Sequence, residues 1–256
     1  MLTLLWAVII IVASVFAALG LLLILRHRWS LAKMQKANDA TAFYMTVAGT
    51  IYAVILAFML TSVWEDFQDA KVNAEQEANA LVNVFRLAGT LPNPPQGAIQ
   101  VAARAYAQAM VSEEWPAMAG EEVSPRGVEC VERLWRAVTQ VEAGKLSEQA
   151  VLQQALQELA KMTEHRRVRH FQSRFKLPVI LWLVLIFGGV VTVANSCLLG
   201  VEDARLHMLY IVSLTCLVAL VLVAIAEINR PFQGIIRVGP EGFEMALVTF
   251  DHTDGH

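Results

Sequence analysis

No residue from 40 to 64 is charged, and no proline or glycine interrupts residues 50–88. About 20 apolar residues suffice to cross a bilayer as a helix, so residues 43–64, FYMTVAGTIYAVILAFMLTSVW, read as a membrane span. Past Trp64 the stretch turns amphipathic. Trp64, Phe67, Ala70, Ala74, Ala78, Leu81, Phe85 and Ala88 recur at three- and four-residue spacing, and Glu65, Asp66, Asp69, Glu75 and Glu77 take the positions between. The pattern predicts one helical rod over residues 43–91, about 70 Å long at the helical rise, which leaves the membrane and enters a water-exposed region. Any function assigned to the chain has to use that mechanical link.

Composition narrows the class. The 256 residues are 56% hydrophobic and 17% charged, with a mean hydropathy of +0.50. These values exclude an ordinary soluble enzyme and a disordered chain, and point to a polytopic membrane protein with one modest soluble region. A net charge of −3 offers nucleic acid no global attraction. Cys130, Cys197 and Cys216 have no metal or redox spacing, the six histidines form no ligand pattern, and no phosphate-binding or nucleophile motif occurs. No enzyme activity, metal or cofactor is expected.

Residues 2–25 are uncharged and are followed by Arg26, His27 and Arg28. A cleaved signal peptide carries its bases ahead of a shorter apolar core, so this segment reads as a retained first span. A basic linker leads to the second span, and Pro92, Pro94 and Pro95 end the rod. Helices are expected at 96–115, at 125–143 with Ser124 as cap and Pro125 in the first turn, and from Ser147 to Pro178. No alternating strand pattern appears. Residues 177–201, with Trp182 near the start, and 206–228 read as the third and fourth spans.

The predicted fold is therefore all-α: a polytopic membrane protein with four transmembrane helices and a helical extramembrane domain. Its parts are expected at 1–64, 65–176, 177–229 and a polar C-terminal tail at 230–256. Four spans put both termini and the large domain on one side, and the larger number of membrane-proximal lysines and arginines there favours the cytoplasm. The basic run after the first span, taken alone, argues the reverse.

The second span has two distinct faces. Gly49, Ala53 and Ala57 form a small-residue face suited to close helix packing. Ile51, Ile55, Phe58 and Ser62 lie about 200° round the helix, where an oligomer would place a pore lining and an apolar constriction; the same face also suits contact with lipid. Beyond it Glu65, Asp66 and Asp69 would form an acidic vestibule in a ring of subunits, or merely a solvated surface. Arg166, Arg167, Arg169, Arg174 and Lys176 make a basic membrane-proximal segment, which either meets anionic headgroups or neutralises the acidic rod.

Several motifs, taken in order, resemble the bacterial bestrophin-like family. They are Gly49-Thr50-Ile51-Tyr52-Ala53-Val54, Trp64-Glu65, Glu77-Ala78-Asn79-Ala80-Leu81 and Arg86-Leu87-Ala88, then Tyr106, Glu114-Trp115-Pro116, Arg166-Arg167-Val168-Arg169, Leu177-Pro178 with Trp182, and Arg230-Pro231-Phe232-x-Gly234. Asn229 stands where the family pattern has Asp. The resemblance covers nearly the whole chain and implies distant similarity to bestrophins, which are pentameric anion-selective channels with four transmembrane helices and cytoplasmic termini. It implies a homo-oligomer in the bacterial inner membrane, in contact with lipid and passing small inorganic ions, anions favoured. In that picture Ile51, Ile55 and Phe58 stand for the apolar neck and Trp64-Glu65 for the element after it. The competing expectation is a non-conducting scaffold or sensor, in which the rod carries a membrane or partner signal to the soluble helices.

Overall fold

The structure, a computed structural model, describes residues 2–254. Among them every regular element is helical. In chain order these are α1 (Leu2–Arg28), α2 (Leu31–Lys36), α3 (Asn38–Ala88), α4 (Pro95–Ala109), a π-helical turn (Met110–Glu114), α5 (Trp115–Ala119), α6 (Pro125–Thr139), α7 (Leu146–Arg174), α8 (Val179–Cys197), α9 (Ala204–Ile228) and α10 (Glu241–Asp254). Four helices are long and apolar enough to cross a membrane: Leu4–Arg28, Asn38–Ala88, Val179–Cys197 and Ala204–Ile228. The chain divides into two compact units, Met1–Glu65 with Lys176–Asn229 and Asp66–Phe175 with Arg230–His256. Helix α3, at 51 residues, contributes to both.

In the first unit α1, α8 and α9 pack together. Ala18, Leu22, Cys197 and Ile211 form their buried centre. The connections are pinned by polar contacts. The Arg26 guanidinium donates to the Val201 carbonyl. Asn38 accepts from the Gly200 N–H at 2.7 Å and donates to its carbonyl at 3.3 Å. A Cβ on Gly200 would stand 2.6 Å from the Gln35 backbone nitrogen, so only glycine permits this approach. Asp203 caps α9 by accepting from the N–H groups of Arg205 and Leu206. Asn229 accepts from the Leu177 N–H at 3.2 Å.

The second unit buries the stripe read from the sequence: Phe67, Ala70, Ala74, Ala78, Leu81, Phe85 and Ala88 are inside, while Trp64, in the first unit, is exposed. Ser124 caps α6 by accepting from the Gly127 N–H, with Pro125 in the first turn. Three local expectations need correction. Trp115-Pro116 does not end the helical path; the π turn intervenes and Pro116 falls in the first turn of α5, where a missing N–H costs nothing. Helix α7 begins at Leu146 rather than after Ser147, because the Glu148 carboxylate reaches back to the N–H groups of Gly144 and Lys145. Residues 230–254 are not simply a polar tail: α10 buries Phe243, Ala246 and Phe250, at three- and four-residue spacing, and Phe250 stacks on Phe85 with ring centres 4.0 Å apart.

Candidate functional site

Helix α3 is seated in the first unit through Tyr52. Its ring fills the niche left by Gly188 and Gly189 of α8, and its hydroxyl donates to the Leu185 carbonyl at 2.9 Å. A Cβ on Gly189 would lie 2.9 Å from the Tyr52 oxygen and one on Gly188 would enter its ring. At about 100° per residue, Tyr52 lies about a quarter turn from each of the two faces singled out in the sequence. On one side Ile51 is 58% and Phe58 72% exposed, Ser62 is exposed and Ile55 half-buried. On the other, Ala53 and Ala57 are exposed, and nothing lies within 4 Å of a Cβ built on Gly49. The small-residue face is therefore not the one that packs inside the chain; a bulky tyrosine against paired glycines does that work instead.

The acids following Trp64 divide. Glu65, Asp66 and Asp69 are exposed, whereas Glu77 is fully buried in the second unit. The basic segment divides as well. Arg167, Arg174 and Lys176 are exposed, with Arg167 held 2.7 Å from Glu164 on its own helix. Arg166 and Arg169 are buried, so they do not form part of a surface stripe. Their spacing explains this: they continue the buried series Ala155, Leu159 and Met162 along one face of α7.

What these two arginines reach is a charged centre assembled from four segments of the chain. Arg169 binds Glu77 through two nitrogens, at 2.6 and 2.9 Å, and both side chains are wholly buried. The Tyr106 hydroxyl donates to the same carboxylate at 2.5 Å. The guanidinium of Arg169 lies over the Trp115 ring, 4.6 Å from its centre, and donates to the sulfur atoms of Met118 and Met110. Beside it Glu114, the last residue of the π turn, has one oxygen 2.9 Å from Arg166 and 2.7 Å from His170, while the other accepts from the Ser124 N–H. Gly127 is required here because a Cβ would run into the Glu114 carboxylate.

Burial alone would raise the Glu114 carboxyl, but the His170 contact and the charges of Arg166 and Arg169 outweigh it and hold the group below the usual carboxylate range. Burial likewise opposes the charge on Arg169, and Glu77 outweighs it, so the guanidinium is held more firmly protonated than usual. The Tyr106 phenol is pushed up by burial and by the Glu77 charge. Two carboxylates thus neutralise two guanidiniums in a largely buried space, which suits a fixed structural keystone.

The Arg230-Pro231-Phe232-x-Gly234 motif serves the same centre. Gly234 takes a φ of 78°, the left-handed turn that favours glycine. Phe232 meets the Trp115 ring edge-on at 6.2 Å, and the Trp115 Nε1–H donates to the Val238 carbonyl at 3.0 Å. Motif residues dispersed between 77 and 232 therefore converge on one buried cluster. Among the described residues, no three His, Cys, Asp or Glu side chains come together as metal ligands.

The family model for a bestrophin-like domain matches residues 3–243. No curated protein matches the chain. Two solved structures share its fold. A crystal structure of a proline-to-alanine variant of a membrane protein aligns with a TM-score of 0.74 at 13% identity, covering 98% of this chain and 99% of that one. A leucine-to-alanine variant of a membrane protein aligns with a TM-score of 0.68 at 13% identity, covering 94% of each. With nearly its entire length matched by the family model, the chain belongs to the bestrophin-like family.

Proposed function

We propose that this chain forms a homo-oligomeric ion channel of the bacterial inner membrane, with five subunits around the axis and anions as the favoured permeant ions. The soluble unit and both termini are cytoplasmic. Ile51, Ile55, Phe58 and Ser62 of α3 line the neck, where an apolar ring blocks ions by excluding water when narrow. Gly49, Ala53 and Ala57 meet a neighbouring copy, whose helix they let approach closely. Glu65, Asp66 and Asp69 stand at the vestibule, and Arg174 and Lys176 meet anionic headgroups.

The observation that carries this reading is the seating of α3. Its own chain grips the spanning part through the Tyr52 side and leaves a large apolar face and a small-residue face exposed on either flank. A ring of copies occupies both flanks at once, which a lone chain cannot.

Two measurements test it. Native mass spectrometry of the detergent-solubilised protein is expected to give a pentamer; a monomer or dimer encloses no axis and favours the non-conducting scaffold or sensor. In proteoliposomes, Ile55→Ala with Phe58→Ala is expected to raise basal chloride flux several-fold, with chloride preferred over potassium. Unchanged flux removes these residues from the gate.

A further inference from the structure

Only residues 29–37 separate the end of α1 at Arg28 from the start of α3 at Asn38. Both helices are long and apolar enough to cross a bilayer, so the connection between them is confined to the membrane surface. It is also fixed in place. Met34 of α2 is buried, the Gln35 backbone lies close against Gly200, and the Gln35 side-chain amide donates to Glu202 at 3.2 Å. One side of the connection is thus held against the turn between α8 and α9, and the other faces outward.

The outward side combines bases with an aromatic ring. Trp29 is 43% and Leu31 38% exposed, and the Lys33 ammonium sits 5.6 Å from the centre of the Trp29 ring. Arg28, Ser30 and Lys36 are exposed beside them. Among the described residues, none of Arg28, Lys33 and Lys36 has a carboxylate within ion-pair reach. The nearby acids are engaged elsewhere, Glu202 by Gln35 and Asp203 by the first N–H groups of α9, and Asp39 is exposed. Ser30 makes no capping bond to α2, and among the described residues the Trp29 indole N–H meets no acceptor. An indole and the aliphatic stem of a lysine settle at headgroup depth, apolar parts toward the acyl chains and polar ends outward.

We propose that this surface binds the headgroup of an anionic phospholipid, one carrying a phosphodiester and no compensating amine. The Trp29 indole N–H, the Ser30 hydroxyl and the Lys33 ammonium donate to the phosphate oxygens, Arg28 and Lys36 add flanking positive charge, and Trp29 and Leu31 rest on the upper acyl methylenes. A zwitterionic headgroup gains less, because its own ammonium is repelled by the same bases. The site is separate from the headgroup contact assigned above to Lys176. Lys176 stands just before α8, whereas α2 is held by the turn that follows Cys197 at the other end of that helix, so the two border opposite leaflets. The inference rests on α1 and α3 crossing the bilayer and not on conduction.

The test uses the full chain in phosphatidylcholine nanodiscs doped with a phosphatidylglycerol that carries a diazirine near its glycerol, with labelled peptides mapped by mass spectrometry. Labelling of residues 28–36 is expected to exceed that from a phosphatidylcholine probe of the same design by more than about tenfold. Lys33→Gln alone should lower that preference about fivefold, the usual weight of one base at an anionic surface. Arg28→Gln, Lys33→Gln and Lys36→Gln together, all at exposed positions, should erase it. Lys176→Gln should leave it unchanged. Equal labelling by the two probes, or a preference that survives the triple substitution, would overturn the proposal. Displacement of the probe by inorganic phosphate would overturn it too, by assigning the surface to a soluble anion, and an absence of labelling at residues 28–36 would place another copy of the chain over it. The labelling reads lipid binding alone, so it fails or succeeds independently of any flux assay.

Discussion

Helix α3 is held twice, once in each unit, and the two grips differ in kind. At Tyr52 a ring fits a glycine niche and a single hydroxyl bonds a carbonyl. At Glu77 a carboxylate is enclosed by Arg169 and Tyr106 within a charged network. Among spanning helices, lipid is as apolar as the side chains, so association gains nothing from removing them from water and depends on shape with an occasional hydrogen bond. In the extramembrane unit burial of Phe85, Leu81 and Ile99 supplies the driving force. There a buried ionic network adds little net stability but severely penalises any arrangement that separates its partners. One grip should therefore respond to lost volume fit and the other to lost charge balance.

The largest effect is expected at the second grip. Arg169→Met leaves Glu77 buried and uncompensated and should cost about 3–5 kcal/mol, seen as a large drop in the thermal unfolding midpoint in detergent. Adding Glu77→Leu to it removes the orphaned charge and should recover part of the loss. Arg167→Met is the control, since Arg167 is exposed and pairs only along its own helix. Equal effects of the Arg169 and Arg167 substitutions would show that the buried network is not what holds this unit.

An intermediate effect is expected at the first grip. Gly189→Ala forces a methyl against the Tyr52 oxygen and the Val218 side chain and should cost about 1–3 kcal/mol. Tyr52→Phe keeps the ring in its niche and loses one hydrogen bond, about 1 kcal/mol. The order of these two is the informative result: if Tyr52→Phe is the worse, the bond rather than the fit seats α3.

The four spans, the long α3 and its buried stripe could be read in advance because each is a local periodic pattern within one helix. The charged centre could not. Arg166 and Arg169 stand among Arg167, Arg174 and Lys176, and a count of bases leaves open which of the five meet headgroups and which neutralise the acidic rod, as Arg169 does at Glu77. Only the phase of α7, in which Ala155, Leu159, Met162, Arg166 and Arg169 share a face, separates the buried two from the exposed three. Phe243, Ala246 and Phe250 carried the same signal in the segment read as a tail. The Tyr52 seat depends on Gly188 and Gly189, far away in the chain, and no spacing rule pairs them with position 52. The family resemblance singled out Glu77, Tyr106, Glu114, Trp115 and Arg169 without showing that they touch.

The smallest effect concerns acid. The Glu114 carboxyl is held below its ordinary value of about 4.5 in the folded chain. A lowered folded-state value means that its ionisation favours folding above that ordinary value, and that this contribution is lost as pH falls through the lowered one. Unfolding midpoints followed from pH 7 downward should therefore decline below about pH 4.5, where the unfolded chain takes up the proton more readily than the folded one. Glu114→Gln should lower the midpoint at neutral pH, because Arg166 and His170 lose a charged partner, and should also flatten the acid limb. Glu158, likewise held low by Lys161 and Asn83 against the opposing effect of burial, sits at a more accessible position. Its glutamine variant should flatten that limb less. If Glu158→Gln flattened it more, the buried centre would not be the acid-sensitive part of this unit, and the contrast between a grip set by fit and one set by charge would narrow to the Arg169–Glu77 pair.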